Sequence, residues 1–134
     1  MSGLAGILAG HLPPGVYRWH AAVDIDEVTH AVEDAGWMFG YVDGWRARTR
    51  AEFLDAIAAS LAFPAYYGRN LDALNDCLRD LPGPAVLLWD GWGTLARSDE
   101  RTFAAVVRIL GDHTDTLTTL LRGEGPDLDL PALG

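Results

Sequence analysis

Three aspartates recur at every fourth position in the segment LDALNDCLRD, which covers residues 71–80. If this segment is helical, Asp72, Asp76 and Asp80 share one face, where like charges repel by about 0.2–0.5 kcal/mol per pair. Neighbouring carboxylates can serve as a general acid and a general base. These three, however, fall on the expected polar side of a helix without an evident cleft. A solvated acidic face is therefore favoured over catalysis.

Other residues that perform catalysis or bind metals are sparse. Cys77 is the only cysteine and lies among leucines, which is typical of a small buried hydrophobe and not of a nucleophile with a nearby base. The four histidines, His11, His20, His30 and His113, form no H-x-x-x-H pair, and the glycines form no phosphate-binding loop. The sequence therefore predicts a protein that is not an enzyme and uses no cofactor and no metal.

The acidic ladder needs a helix to position it, and the sequence predicts one over residues 70–81. Asn70 is a good N-cap residue, and Pro82-Gly83-Pro84 ends the pattern. Leucines recur on the opposite side, at positions 71, 74, 78 and 81. This spacing predicts a helix that buries its leucine face and exposes its aspartates.

Apolar runs separated by helical patterns predict the rest of the fold. The expected strands are residues 15–19, 37–42, 85–89 and 117–121, and the expected helices are residues 24–36, 49–61 and 98–111. Thr49 and Glu52 form a capping-box pattern, Ser98 is the expected cap of the last helix, and DGWG is an expected turn. Ile25, Val28 and Val32 should face the core from the first helix. Because no tight hairpin separates the strands, we predict an α/β fold with a small parallel sheet of about three strands, plus a possible N-terminal strand.

Length and composition predict one domain. The chain has 134 residues and 49% hydrophobic residues, which suffices for a core. We expect residues 15–123 to form the domain, residues 1–14 a flexible N-terminus and residues 124–134 a C-terminal tail. The apolar opening lacks the basic residues of a signal peptide, and a single cysteine suits a reducing compartment, so we expect a cytoplasmic protein.

The charge balance restricts the partners. Nineteen acidic residues against ten basic ones give a net charge of −9 and a pI of about 4.6. Such a surface repels phosphate backbones, which disfavours direct binding of nucleic acid or anionic membranes. It favours a basic partner, although acidity also serves solubility alone.

The segment FPAYYGRNLDALNDCL, residues 63–78, resembles the signature of the barstar-type ribonuclease inhibitors. The resemblance is nearly continuous from Pro64 to Leu78 and extends more loosely from the Trp37 strand to the Leu117 strand. It implies a three-stranded parallel sheet with helices, leaving residues 15–36 as an N-terminal extension. It also implies an intracellular immunity protein, monomeric when free, that blocks the cationic active site of an extracellular-type ribonuclease one-to-one.

The resemblance also implies the partner-binding residues. Asp76 would reach into the active site of the enzyme, Asp72 would face its cationic rim, and Tyr66 would be an aromatic anchor. The remaining implied or neighbouring positions of this loop and helix are Asn70, Leu71, Asn75, Arg79 and Asp80.

Several positions depart from the best-known member of that family. Asn75 stands in place of Trp, and residues 79–81 stand in place of Thr, Gly and Trp. A glutamate that the family uses on a later helix falls near Ile109, Leu110 or Asp112. These departures leave open an acidic regulatory module with the same fold and a partner that is not a nuclease; a small hydrolase using the aspartates has little support.

Overall fold

The computed structural model describes residues 2–64 and 67–134, without the side chain of Ser2. These residues form five parallel strands in the order β2-β3-β4-β1-β5. The strands are β1 (Val16–Trp19), β2 (Met38–Asp43), β3 (Ala85–Asp90), β4 (Leu117–Arg122) and β5 (Ala132–Leu133). The helices are α1 (Ser2–Leu8), α2 (Ile25–Asp34), α3 (Arg50–Ser60), α4 (Leu71–Arg79), α5 (Gly93–Ser98) and α6 (Glu100–Gly111). The predicted α/β class with a parallel sheet is confirmed, with two central strands of six residues each that are entirely or almost entirely buried.

Both faces of the sheet are covered, and β3 shows how. Its side chains alternate between two apolar clusters, as the period of two in a strand requires. Leu87 and Trp89 join the cluster beneath α3, α4 and α6, where Trp89 packs between Phe53 and Phe103 with ring centroids 4.5 and 5.6 Å apart. Leu88 faces the second cluster, on the side of α1 and α2. The sheet is therefore the middle layer of the protein.

The two ends of the chain are more structured than the sequence predicted. Leu4 and Ile7 of α1 are buried in the second cluster, and β5 pairs in parallel with β1. The Gly3 N–H donates to the Gly134 carbonyl at 2.8 Å, which joins the two ends. Helix and strand were missed because seven and two residues are too short to show a clear periodicity.

A buried polar cluster joins three strands at their carboxyl ends. Arg122 donates from Nε and Nη2 to the two oxygens of Asp90, at 2.7 and 2.9 Å. The Tyr41 hydroxyl donates to the same carboxylate at 3.0 Å. Burial, followed by this bond to Asp90, raises the pKa of Tyr41, so the phenol stays protonated and remains a donor. Nη1 of Arg122 donates to the carbonyls of Ala21 and Val23, which fastens the segment after β1 to the sheet.

Two local predictions were wrong, and one short helix was missed. The predicted DGWG turn is present, with Gly91 at a φ of +65°, but the helix α5 that follows it directly was not predicted. Asp99, not Ser98, caps α6: its carboxylate accepts from the Thr102 N–H at 3.1 Å. Ile25 is exposed, because it is the first residue of α2 and lies outside the buried stripe of Val28 and Val32.

The helices of the described ranges are all too short or too polar to cross a membrane.

Candidate protein-binding site

Helix α4 is held in place by its N-cap residue, Asn70, and by its leucine face. The Asn70 side chain accepts from the Ala73 N–H at 2.8 Å and donates to the Gly68 carbonyl at 3.3 Å. Leu74 and Leu78 are fully buried, whereas Leu71 is partly buried. The predicted helix is confirmed over Leu71–Arg79, and Leu81 lies beyond its end, packed against the core. The polar side of α4 is therefore presented on a fixed backbone.

Asp72 and Asp76 of α4 and its C-cap residue Asp80 are exposed, as predicted, but they border two different clefts. Asp72 lines a cleft of about 320 Å³ between α4 and α6. Asp76 and Asp80 line a second cleft, of about 240 Å³, on the side of residues 61–64. The acidic face is thus a ridge between two concave surfaces, which gives a protein partner shape as well as charge to recognise.

Arg79 lies between two of the aspartates and forms ion pairs with both. Its Nη1 is 3.4 Å from Asp76 and its Nε is 3.5 Å from Asp80. The side chains of Arg79 and Asp76 are 62% and 59% exposed, so these pairs are weak and can be exchanged for other cations. The cation on this face offsets the repulsion in the ladder while the protein is free.

Asn75 is tied to the end of α6 and not free at the centre of the face. Its Oδ1 lies 2.8 Å from Nε2 of His113, which must donate because a carboxamide oxygen only accepts. Sequence spacing gave no signal for this pair, since 38 residues separate its members. Asn75 therefore has a fixed orientation in the cleft that Asp72 also lines.

The three positions near which the family's later glutamate was expected differ in their exposure. Leu110 is fully buried and cannot contact a partner. Ile109 and Asp112 both line the cleft beside Asp72, and Asp112 is exposed. Asp112, the C-cap residue of α6, is the acidic residue that lines this cleft opposite α4.

The loop before α4 is anchored by one ion pair and one aromatic contact. Arg69, with a φ of +53°, donates to the carboxylate of Asp55 on α3 through Nε at 2.6 Å and Nη2 at 3.0 Å. Tyr67 packs against Phe63 with ring centroids 5.2 Å apart, and burial raises the pKa of Tyr67 to about 12. Arg69 thus fastens the loop to α3. Tyr66, the expected aromatic anchor, lies outside the described residues.

Cys77 has no features of a nucleophile. It is half-buried on α4. Burial, and then the nearby Asp80 and Asp76 carboxylates, raise the pKa of its thiol, so the protonated form dominates at neutral pH. In the part of the chain that the structure describes, no group of three or more His, Cys, Asp and Glu side chains is placed to hold a metal ion.

The contribution of the Asn70 cap to stability can be measured directly. Asn70→Ala should lower the free energy of unfolding by about 1 kcal/mol, because the Ala73 N–H loses its acceptor. Asn70→Asp should restore most of that stability, since aspartate caps equally well. Urea unfolding of both variants measures the effect. An equal loss in both would contradict the capping role.

A parallel sheet with helices on both faces, one of which exposes an acidic side, defines this chain as an α/β protein with a candidate protein-binding face. Residues 37–128 match the family model described as Barstar (barnase inhibitor). The chain therefore belongs to the Barstar family. The match covers β2 to β4 and the intervening helices, including α4, whereas α1, β1, α2 and β5 lie outside it.

The fold is also similar to that of a chain in a solved structure described as "Structure of Drosophila ORC bound to DNA". The TM-score is 0.60 at 15% sequence identity, over 94% of this chain and 41% of that one. The present chain thus spans less than half the length of that protein. At this identity the likeness concerns the fold alone.

Proposed function

We propose that this protein is an intracellular inhibitor of an extracellular-type ribonuclease, and that it acts by covering the active site of the enzyme with α4 and the preceding loop. The observation that carries the proposal is the exposed acidic ridge of Asp72, Asp76 and Asp80 on a helix within the family match. A ribonuclease cleft is cationic because it binds phosphate. A carboxylate on a rigid helix can occupy the position of a phosphate oxygen.

The anchoring of the ridge supports this mode of binding. The cap at Asn70, the Asn75 to His113 bond and the pair of Arg69 with Asp55 fix the backbone on both sides of the aspartates. Little conformational freedom remains to be lost when the partner binds, which favours affinity. The cations of the enzyme would replace Arg79 as the partner of Asp76 and relieve the repulsion along α4.

The same charge distribution disfavours DNA or RNA as a direct ligand. The DNA in the structure of Drosophila ORC belongs to that assembly, and the present chain carries a net charge of −9. Phosphate backbones are bound mainly through lysine and arginine, and the α4 surface presents mostly carboxylates. A basic protein is the partner that this surface fits.

Association with a ribonuclease should depend strongly on salt. Because the ridge attracts a cationic cleft over a distance, the association rate constant should fall by tenfold or more between about 10 and 500 mM salt, while the dissociation rate changes less. Stopped-flow mixing with a barnase-like microbial ribonuclease at several ionic strengths measures both rates. An association rate independent of salt would rule out electrostatic steering.

A second candidate is a regulatory module that binds a basic protein other than a nuclease. It is favoured by Arg79, which places a cation within the acidic face, and by Asn75, whose side chain is held by His113. Failure to bind ribonucleases, together with capture of a basic protein that an Asp76→Ala variant releases, would support this candidate over the first.

A further inference from the structure

A second concave surface lies at the opposite edge of the sheet from α4. A crevice of about 670 Å³ opens where β1 and β4 end, and residues 123–128 form one of its walls. The contact of Asn75 with His113 places α4 beside the end of α6, before β4 begins, whereas the crevice lies where β1 and β4 end. The crevice shares no lining residue with either of the clefts beside α4. Ligands of open parallel sheets commonly bind at the carboxyl edge.

One arginine of this crevice is held rigidly by the fold. The Asp90 carboxylate and the carbonyls of Ala21 and Val23 accept four of the five N–H groups of Arg122. The guanidinium also lies 5.6 Å from the centroid of the Trp19 ring, within cation–π range. One N–H of Nη2 remains outside this network. Arg122 thus contributes a preorganised N–H donor, and its charge is balanced by Asp90.

Two further arginines line the same crevice with donors available. Arg18 is held by its Nε, which donates to the Leu130 carbonyl at 3.0 Å. Its Nη groups, and the whole guanidinium of the exposed Arg97, have no hydrogen-bond partner in residues 2–64 and 67–134. His20 lies on the rim. Three of the ten arginines of an acidic chain therefore converge on one surface.

The acidic residues of the crevice form no ion pair with Arg18 or Arg97 in the described ranges. Glu124 and Asp127 also line it, but both are exposed. Within the described ranges neither of them forms an ion pair with Arg18 or Arg97, although Arg46, Arg69 and Arg79 all pair with nearby aspartates. Arg18 and Arg97 consequently keep guanidinium N–H groups that no residue of the described ranges accepts.

We propose that this crevice binds a small molecule carrying a phosphate group. Arg18 and Arg97 would contact the phosphate, since a guanidinium matches phosphate oxygens in a bidentate geometry, and Arg122 would add its remaining Nη2 N–H. The volume lies within the range of about 300–1,000 Å³ that is usual for small-molecule sites. The ligand is small and not a polymer, because the net charge of −9 repels an extended phosphate backbone.

Calorimetric titration with inorganic pyrophosphate tests this proposal on the full chain. Saturable one-to-one binding is expected for the unmodified protein, and Arg18→Gln and Arg97→Gln should each weaken it by about tenfold or more. Arg97 is exposed, so Arg97→Gln should fold even if the half-buried Arg18 proves necessary for stability. The matched control is Arg101→Gln, which removes an exposed arginine of α6 outside the crevice and should leave binding unchanged.

Three results would overturn the phosphate site. They are the absence of saturable binding, an equal loss of affinity in Arg101→Gln, and equal affinity for succinate, a dianion without phosphorus. This crevice does not include residues of α4, so the proposal does not depend on the inhibitor proposal. Arg97→Gln should therefore leave the binding of a ribonuclease unaffected.

Discussion

Asp76→Ala is expected to weaken binding to the target ribonuclease by about 2–5 kcal/mol or more, a range taken from charge-pair truncations such as those in the barnase–barstar complex of the same family. Asp76 lies at the centre of the acidic ridge and borders the cleft beside residues 61–64. Its removal would leave a cation of the enzyme without a partner in a desolvated interface. Calorimetric titration of the variant measures the change.

The free energy of unfolding should hardly change in this variant. Asp76 is 59% exposed and its pair with Arg79 is weak, so we expect a loss within about 0.5 kcal/mol. Asp34→Ala is the matched control, since it removes an exposed aspartate from α2, on the other side of the sheet. If Asp76→Ala unfolded the protein, or if Asp34→Ala weakened binding equally, the assigned role of Asp76 would be wrong.

The second large effect is a loss of stability on removal of Arg122, which joins the sheet to a segment outside the family match. Arg122→Ala should lower the free energy of unfolding by about 3–5 kcal/mol, because it leaves the Asp90 carboxylate buried and unpaired. It also removes both bonds to the carbonyls of Ala21 and Val23, which join the segment after β1 to the sheet. Urea unfolding measures this loss.

Arg46→Ala provides the comparison for that measurement. Arg46 also pairs with an aspartate, Asp43, but its side chain is 90% exposed, so we expect a change within about 0.5 kcal/mol. Similar effects of the two substitutions would show that the cluster around Asp90 contributes no more than a surface ion pair.

Local signals in the sequence predicted the elements that local chemistry determines. The capping box of Thr49 and Glu52 is present, and Asn70 caps α4, because each bond joins residues three apart. Serine and aspartate cap equally well, which is why position 98 could not be distinguished from Asp99. The class of the sheet followed from apolar strands separated by helices.

Long-range pairs could not be predicted in the same way. Nothing near Asn75 indicates His113, and nothing near Asp90 indicates Arg122, because the fold alone brings these residues together. Helix α1 was missed because it is short, whereas α2 and the burial of its Val28 were predicted. The apolar cluster that gathers residues of both helices with Trp19 of β1 required the structure. The candidate face was predicted from α4 itself, whereas its support by α3 and α6 required the structure.

The most direct test of the inhibitor proposal is titration of the unmodified protein into a barnase-like microbial ribonuclease, with RNA cleavage followed in the same samples. We expect one-to-one binding that abolishes cleavage in proportion to the fraction of enzyme bound. Binding without loss of cleavage, or no binding to any ribonuclease of this class, would contradict the proposal.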